Sequence, residues 1–121
     1  MEHFSITLRE YKDDNFVGHV QICTDLGYIY IYDNERVYIH DLYVIKAYRH
    51  KGEGIKLMNR VIDTCKKLSI TRVYLWCLPK LIPFYKNFGA EDTSDYRGIS
   101  FNDDKYQINI NKLWKINRKY I

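Results

Sequence analysis

A short run of basic residues and glycines offers the clearest chemistry in the sequence. Residues 49–54 read Arg-His-Lys-Gly-Glu-Gly, and we call them the anion loop. Glycine lets the backbone approach a ligand closely. If such a run opens a helix, the first backbone N–H groups and the positive end of the helix dipole point at one place. With the charges of Arg49 and Lys51 nearby, the pattern predicts an anion cradle whose natural occupant is a pyrophosphate.

Two glycines alone would equally suit a tight turn that joins a strand to a helix. The spacing also differs from that of a nucleotide P-loop, which separates its glycines by four residues and continues with Lys and Ser or Thr. The prediction of an anion site therefore depends on the basic residues and on the elements that flank the loop.

Those flanking elements are a strand before the loop and a helix after it. Arg36 to Val44 is rich in Val, Ile and Tyr, as strands are. After Gly54, apolar residues recur at helical spacing, at Ile55, Met58, Val61, Ile62, Cys65 and Leu68. Arg72 to Leu78 is almost continuously apolar, which is typical of a strand covered on both faces. This strand, helix, strand order predicts a right-handed parallel crossover.

The remaining segments complete an α/β fold with a mixed sheet. Short turns separate the early strands, which indicates hairpins. Pro83 to Phe88 suits a short helix capped by Gly89. The predicted order is ββββ-α-β-α-ββ in one domain, with the other strands at Ser5 to Tyr11, Phe16 to Thr24, Tyr28 to Tyr32, Tyr96 to Phe101 and Lys105 to Ile110.

Composition narrows the class of protein. The chain has 121 residues, which suits a single domain, and 46% of them are hydrophobic, enough for a core. A net charge of +4 is milder than a nucleic-acid binder usually carries, although the basic C-terminus leaves that option open. We expect no signal peptide and no membrane span. Three widely spaced cysteines suit free thiols in the cytoplasm.

Two motifs in this order resemble a known family. The anion loop matches the (Gln/Arg)-x-x-Gly-x-(Gly/Ala) signature of the GNAT superfamily of acyl-CoA N-acyltransferases. Pro83 to Ala90, with the sequence Pro-Phe-Tyr-Lys-Asn-Phe-Gly-Ala, resembles the second motif of that family. The segments around Tyr38 to Asp41 and Phe84 to Ala90 look closest to diamine and polyamine acetyltransferases.

The resemblance implies an N-acetyltransferase that uses acetyl-coenzyme A. It places the pyrophosphate on the anion loop and the pantetheine arm along the strand before it, with the thioester where that strand and the next one splay apart. It also makes Tyr85 the general acid that protonates the departing thiolate. The implied cofactor-binding residues are Leu42, Tyr43, Val44, Arg49, His50, Lys51, Gly52, Glu53, Gly54 and Ile55.

The proton acceptor and the acceptor amine are less defined. His40 has a suitable side chain for taking a proton, and Asp41 could orient a cationic amine. Neighbours on a strand point to opposite faces unless a bulge re-aims one of them. Ordered water is a third option. A small polyamine, an aminoglycoside-like amine and a protein amine all remain open, and His40 stands where related diamine acetyltransferases carry an acidic residue.

Three departures from the family pattern motivate alternatives. Glu53 places a carboxylate inside the anion loop, and Leu78 stands where many members have an Asn. The family's usual pair of helices between the first two strands is also missing, which favours an open acceptor side and a homodimer. The rival hypothesis is a degenerate domain of this fold that serves as a cofactor- or partner-binding regulatory module.

Overall fold

The computed structural model of the chain describes residues 4–24, 36–102 and 107–117, which form a six-stranded mixed sheet and two α-helices. Single 3-10 turns lie before α1 and before α2. The predicted strand from Tyr28 to Tyr32 lies outside the described residues. The elements are β1 Ser5–Lys12, β2 Asn15–Cys23, β3 Arg36–Val44, α1 Glu53–Lys67, β4 Arg72–Trp76, α2 Ile82–Lys86, β5 Glu91–Asn102 and β6 Gln107–Lys115.

The sheet order is β1-β2-β3-β4-β6-β5. β3 and β4 are parallel and α1 connects them, which confirms the predicted parallel crossover. The other neighbouring strands are antiparallel, and β5 with β6 forms the predicted final hairpin. The mixed α/β fold is therefore confirmed.

The apolar face of α1 covers the sheet and forms the main core. Leu57, Met58, Val61 and Cys65 are fully buried against strand residues that include Val20 and Ile22 of β2. The sequence pattern was wrong at its two ends, because Ile55 and Leu68 are each close to half exposed. The inward position of the first turn is taken by Glu53, and Leu68 lies just beyond the helix.

β1 and β2 form a tight hairpin. Asp13 and Asp14 both have positive φ, as two-residue hairpin turns require, so no helix separates these strands, as predicted. Gly18 of β2 packs directly on β3, because a Cβ atom there would lie 2.4 Å from the carbonyl oxygen of Tyr43. No helix of the described residues is long and apolar enough to cross a membrane.

β4 and α2 both end two residues earlier than predicted. β4 stops at Trp76, and α2 stops at Lys86 before a turn closes at Gly89 with a φ of 72°. In that turn the amide nitrogens of Phe88 and Ala90 both donate to the carbonyl oxygen of Tyr85. The C-cap of α2 is therefore Asn87 and not the predicted Gly89, which instead closes the following turn and helps to fix the backbone around Tyr85.

Candidate active site

An opening forms where β3 outruns its parallel neighbour. Their pairing begins with Arg36 opposite Arg72 and ends with Ile39 opposite Leu75. β3 continues for five more residues, and over these it stays paired with β2 on its other side. Within the described residues, the edge of β3 after Ile39 is therefore free of strand pairing on the β4 side.

A bulge interrupts β3 at this opening. Gln21 pairs with His40 and His19 pairs with Tyr43, so β3 has one residue more than β2 between these two pairs. Asp41 has a φ of 57°, in the left-handed region that aspartate tolerates better than most residues. The bulge therefore changes which side chains of β3 lie on each face of the sheet.

The anion loop follows with the backbone expected of a ligand cradle. His50 and Gly52 have positive φ values of 62° and 84°, and Gly52 is the N-cap of the 15-residue α1. A Cβ atom built on Gly52 would meet nothing within 4 Å, so the space beside it is open. Open space at the positive end of a helix suits an anion.

Arg49 ties the anion loop to the end of β3. Its Nε atom donates a 2.8 Å hydrogen bond to the carbonyl oxygen of Val44. Its guanidinium carbon lies 5.5 Å from the centroid of the Tyr43 ring, a cation–π contact. The terminal guanidinium nitrogens extend beyond this anchor, where they can serve an anionic ligand.

Glu53, the acidic residue of the loop, is buried and paired. Its side chain is 1% exposed, and Oε1 lies 2.5 Å from Lys12 Nζ and 3.6 Å from Lys56 Nζ. The adjacent Lys12 ammonium lowers the pKa of the Glu53 carboxyl, so this group stays ionised at neutral pH. Two lysines balance its charge, which removes the main reason to expect that it repels a pyrophosphate.

Together these elements line a cleft of about 530 Å³. Nine of the residues predicted from the sequence reach it, and Tyr43, Lys51, His40 and Asp41 do not. The cleft is lined by Leu42, Val44, Tyr48, Arg49, His50, Gly52, Glu53, Gly54, Ile55, Leu81, Phe84 and Tyr85.

Tyr85 lies at the inner side of this cleft. It is 6% exposed, and its ring packs edge-to-face on Phe84 with centroids 5.0 Å apart. Burial, with a smaller contribution from Cys77, raises the pKa of the Tyr85 phenol far above its ordinary value. The phenol therefore keeps its proton at physiological pH and can act as a donor.

His40 and Asp41 lie outside the cleft on exposed β3 positions. His40 stands opposite Gln21. The Oδ2 atom of Asp41 lies 2.8 Å from Nε2 of His19, a residue of β2. The bulge thus gives the two neighbours different surroundings, and it pairs Asp41 with a histidine from the adjacent strand.

The sequence interpretation missed four residues of this region. Tyr48, Leu81 and Phe84 line the cleft. Phe84 is part of the second motif, and a Cβ atom on Gly54 would touch its ring at 3.3 Å, so the motif itself could have indicated it. His19 had no sequence signal, since its contact depends on strand register.

Comparison with known proteins places this geometry in a family. The model of the acetyltransferase (GNAT) family matches residues 2–90. The mouse (Mus musculus) thialysine N-epsilon-acetyltransferase is 31% identical over an 81-residue alignment, which covers 61% of this chain and 48% of that protein. The chain thus spans about half the length of that curated relative.

Solved structures share the fold. The ribosomal-protein-S18-alanine N-acetyltransferase of Escherichia coli superposes with a TM-score of 0.74 at 12% identity, covering 94% of this chain and 69% of that one. An aminoglycoside 6'-N-acetyltransferase complexed with coenzyme A gives a TM-score of 0.69 at 14% identity, with 92% and 71% covered. At these identities the likeness extends to the fold alone.

Proposed function

Because the chain belongs to the acetyltransferase (GNAT) family, we propose that it transfers an acetyl group from acetyl-coenzyme A to a primary amine. The observation that carries this proposal is the cleft that joins the anion loop to Tyr85. One end offers backbone N–H groups for phosphate, and the other offers a protonated phenol. An acyl transfer from a phosphate-bearing thioester to an amine uses both.

The described residues fit coenzyme A. The open space beside Gly52 and the N-terminus of α1 suit its pyrophosphate, and Arg49 adds a positive charge that is already anchored. The unpaired edge of β3 at Leu42 and Val44 offers backbone groups to the amide-containing arm. When bound, acetyl-coenzyme A would supply the activated acetyl thioester.

Tyr85 is the general acid of this proposal. The departing thiolate needs a proton, and a phenol buried in the cleft keeps one available. Proton transfer by a positioned side chain typically accelerates a reaction by about 10²- to 10⁴-fold. The second requirement is removal of a proton from the acceptor, which arrives at neutral pH as an ammonium ion.

The acceptor is a small primary amine in this proposal. The mouse relative acts on thialysine according to its name, and diamines and polyamines carry the same kind of cationic amine. Asp41 supplies a carboxylate at the exposed end of β3.

Homodimer formation stays a prediction, which sedimentation velocity tests against the 14.6 kDa mass of one chain.

A free-thiol assay tests the proposed function. Purified full-length chain is incubated with acetyl-coenzyme A and a panel of amines, namely thialysine, spermidine, putrescine, an aminoglycoside and a lysine peptide. We expect thiol release that depends on both substrates, and mass spectrometry should find a single acetyl group on the amine. Cofactor binding without turnover of any amine would instead support the regulatory-module hypothesis.

A further inference from the structure

A histidine of β2 and a carboxylate of β3 form a pair, and the carboxylate immediately precedes the cleft-lining Leu42. His19 of β2 and Asp41 of β3 are 22 residues apart in sequence, yet Nε2 lies 2.8 Å from Oδ2. A carboxylate only accepts hydrogen bonds, so the imidazole donates through Nε2–H. That tautomer leaves Nδ1 with a lone pair, and Nδ1 is then the basic atom of the pair.

The β3 bulge creates this pair. Asp41 takes a left-handed conformation, and the extra residue lets His40 pair with Gln21 while Tyr43 pairs with His19. Bulges often re-aim a side chain next to an active site. Here the carboxylate contacts His19, and the following residues of β3 continue directly into the cleft wall at Leu42.

Aromatic contacts hold the imidazole in place. The His19 ring lies 6.0 Å from the Phe16 ring and 5.9 Å from the Tyr43 ring, measured between centroids. Tyr43 in turn carries the guanidinium of Arg49, which is bonded to Val44. The pair is therefore connected to the anion loop through packed side chains.

We propose that His19, oriented by Asp41, accepts the proton from the acceptor ammonium. This assignment deepens the proposed function and rests on it. The N–H bond of the ammonium breaks as an Nδ1–H bond forms, which frees the amine electron pair for attack on the thioester carbonyl. The Asp41 carboxylate stabilises the imidazolium, as in other histidine–carboxylate pairs. Solvent then takes the proton from His19, whose side chain is 26% exposed.

The surroundings of His19 are compatible with this role. Its titratable and charged neighbours are Asp41 and Tyr43 on β3, and Arg9, which is its register partner on β1. α1 packs on the other face of β2, against Val20 and Ile22, so it brings no charge to the imidazole. Asp41 is thus the only carboxylate that the described structure places in contact with His19.

Three substitutions test the assignment in the full-length chain, with thialysine as the amine and thiol release as the readout. His19→Gln keeps a donor for Asp41 and cannot take a proton, so a positioning role would survive it. We expect kcat to fall about 100-fold in this variant and the pH profile of kcat to change shape. His19→Phe keeps the ring contacts and should lose as much. Gln21→Ala, at the neighbouring polar position of β2, is the matched control and should stay within about twofold of wild type.

Binding measurements separate the two claims. Calorimetric titration should give the same acetyl-coenzyme A affinity for all three variants and for wild type. If His19→Gln keeps turnover within about twofold of wild type, the role of His19 is overturned while the proposed function stands. An equal loss of turnover in Gln21→Ala overturns the role of His19 in the same way. A wild-type chain that binds no acetyl-coenzyme A overturns the proposed function and this assignment together.

Discussion

Lys12 Nζ lies 2.5 Å from Glu53 Oε1, so an ion pair joins the end of β1 to the first residue of α1. Lys56 Nζ lies 3.6 Å from the same oxygen and adds a second cation. The carboxylate is almost completely buried at the base of the anion loop. An acidic residue therefore braces a loop that we propose to hold a pyrophosphate.

This pair predicts a pH window for its contribution to stability. The pKa of Glu53 lies below its ordinary value of 4.5, so the stabilisation is present above that value and is lost as pH falls through the lowered pKa. The pKa of Lys12 lies above its ordinary value of 10.5, so stabilisation is full below 10.5 and is lost as pH rises further. Urea unfolding of wild type and Glu53→Gln should differ most between these limits.

The Lys12→Gln variant supplies the control for the pair. Because Glu53 then keeps only the more distant Lys56, we expect a loss in the same direction as in Glu53→Gln. The double variant should lose less than the sum of the two single variants, since they share one interaction. Additive losses at pH 7 would show that the two side chains act independently.

Gly18 predicts a steric effect on the same region. An added methyl group would lie 2.4 Å from the Tyr43 carbonyl oxygen, and backbone atoms cannot rotate away. We expect Gly18→Ala to lower the free energy of unfolding by about 1–3 kcal/mol, as overpacking commonly does. Gly54→Ala is the matched control, because its methyl group meets only the Phe84 ring at 3.3 Å. Equal losses in the two variants would contradict this explanation.

Arg49 predicts a difference between two cations. Lysine keeps the charge but lacks the Nε donor that reaches Val44 and the planar group that lies over Tyr43. Steady-state kinetics should show a KM for acetyl-coenzyme A about 10-fold higher in Arg49→Lys, roughly the loss of one charge-assisted hydrogen bond. Lys51→Arg, at an exposed position outside the cleft, should leave KM unchanged. If Arg49→Lys keeps the wild-type KM for acetyl-coenzyme A, the positive charge alone accounts for the contribution of this residue to cofactor binding.

Tyr85 predicts a loss of rate without a loss of binding. Tyr85→Phe removes one hydroxyl group and should lower kcat by about 100-fold while the calorimetric Kd for acetyl-coenzyme A stays the same. Because the pKa of Tyr85 is raised from an ordinary 10.0, its deprotonation should not reduce wild-type kcat below pH 10. The exposed Tyr11→Phe is the control. Undiminished kcat in Tyr85→Phe would exclude Tyr85 as the acid.

Much of this architecture was accessible from local patterns. The position of the anion loop between a strand and a helix could be predicted, because the strand pattern, the basic and glycine residues and the helical apolar pattern follow one another along the chain. Tyr85 could be predicted as a residue of this region because its motif is continuous, and it does line the cleft. Both predictions use residues that are close neighbours in the chain, and local propensity governs such segments.

Contacts between distant segments were not accessible in this way. His19 meets Asp41 only because β2 and β3 pair in one register with a bulge, and no short pattern encodes that bulge. Lys12 reaches Glu53 for a similar reason, since the β1–β2 hairpin must first pack on α1. Ile55 fitted the helical period yet remains exposed at the cleft rim, because the first turn of α1 faces the opening.

Calorimetric titration of acetyl-coenzyme A into wild type, Gly52→Asp and Gly52→Asn tests the central claim most directly. Both variants place a side chain at a φ of 84° in open space, and both residues tolerate that backbone, so they differ mainly in charge. A carboxylate about 4 Å from a phosphate costs up to about 4 kcal/mol at an effective dielectric constant near 20. We predict micromolar wild-type binding, a modest loss in Gly52→Asn and no detectable binding in Gly52→Asp. Equal affinities in all three proteins, or no binding by wild type at millimolar ligand, would contradict an anion cradle at residues 49–54.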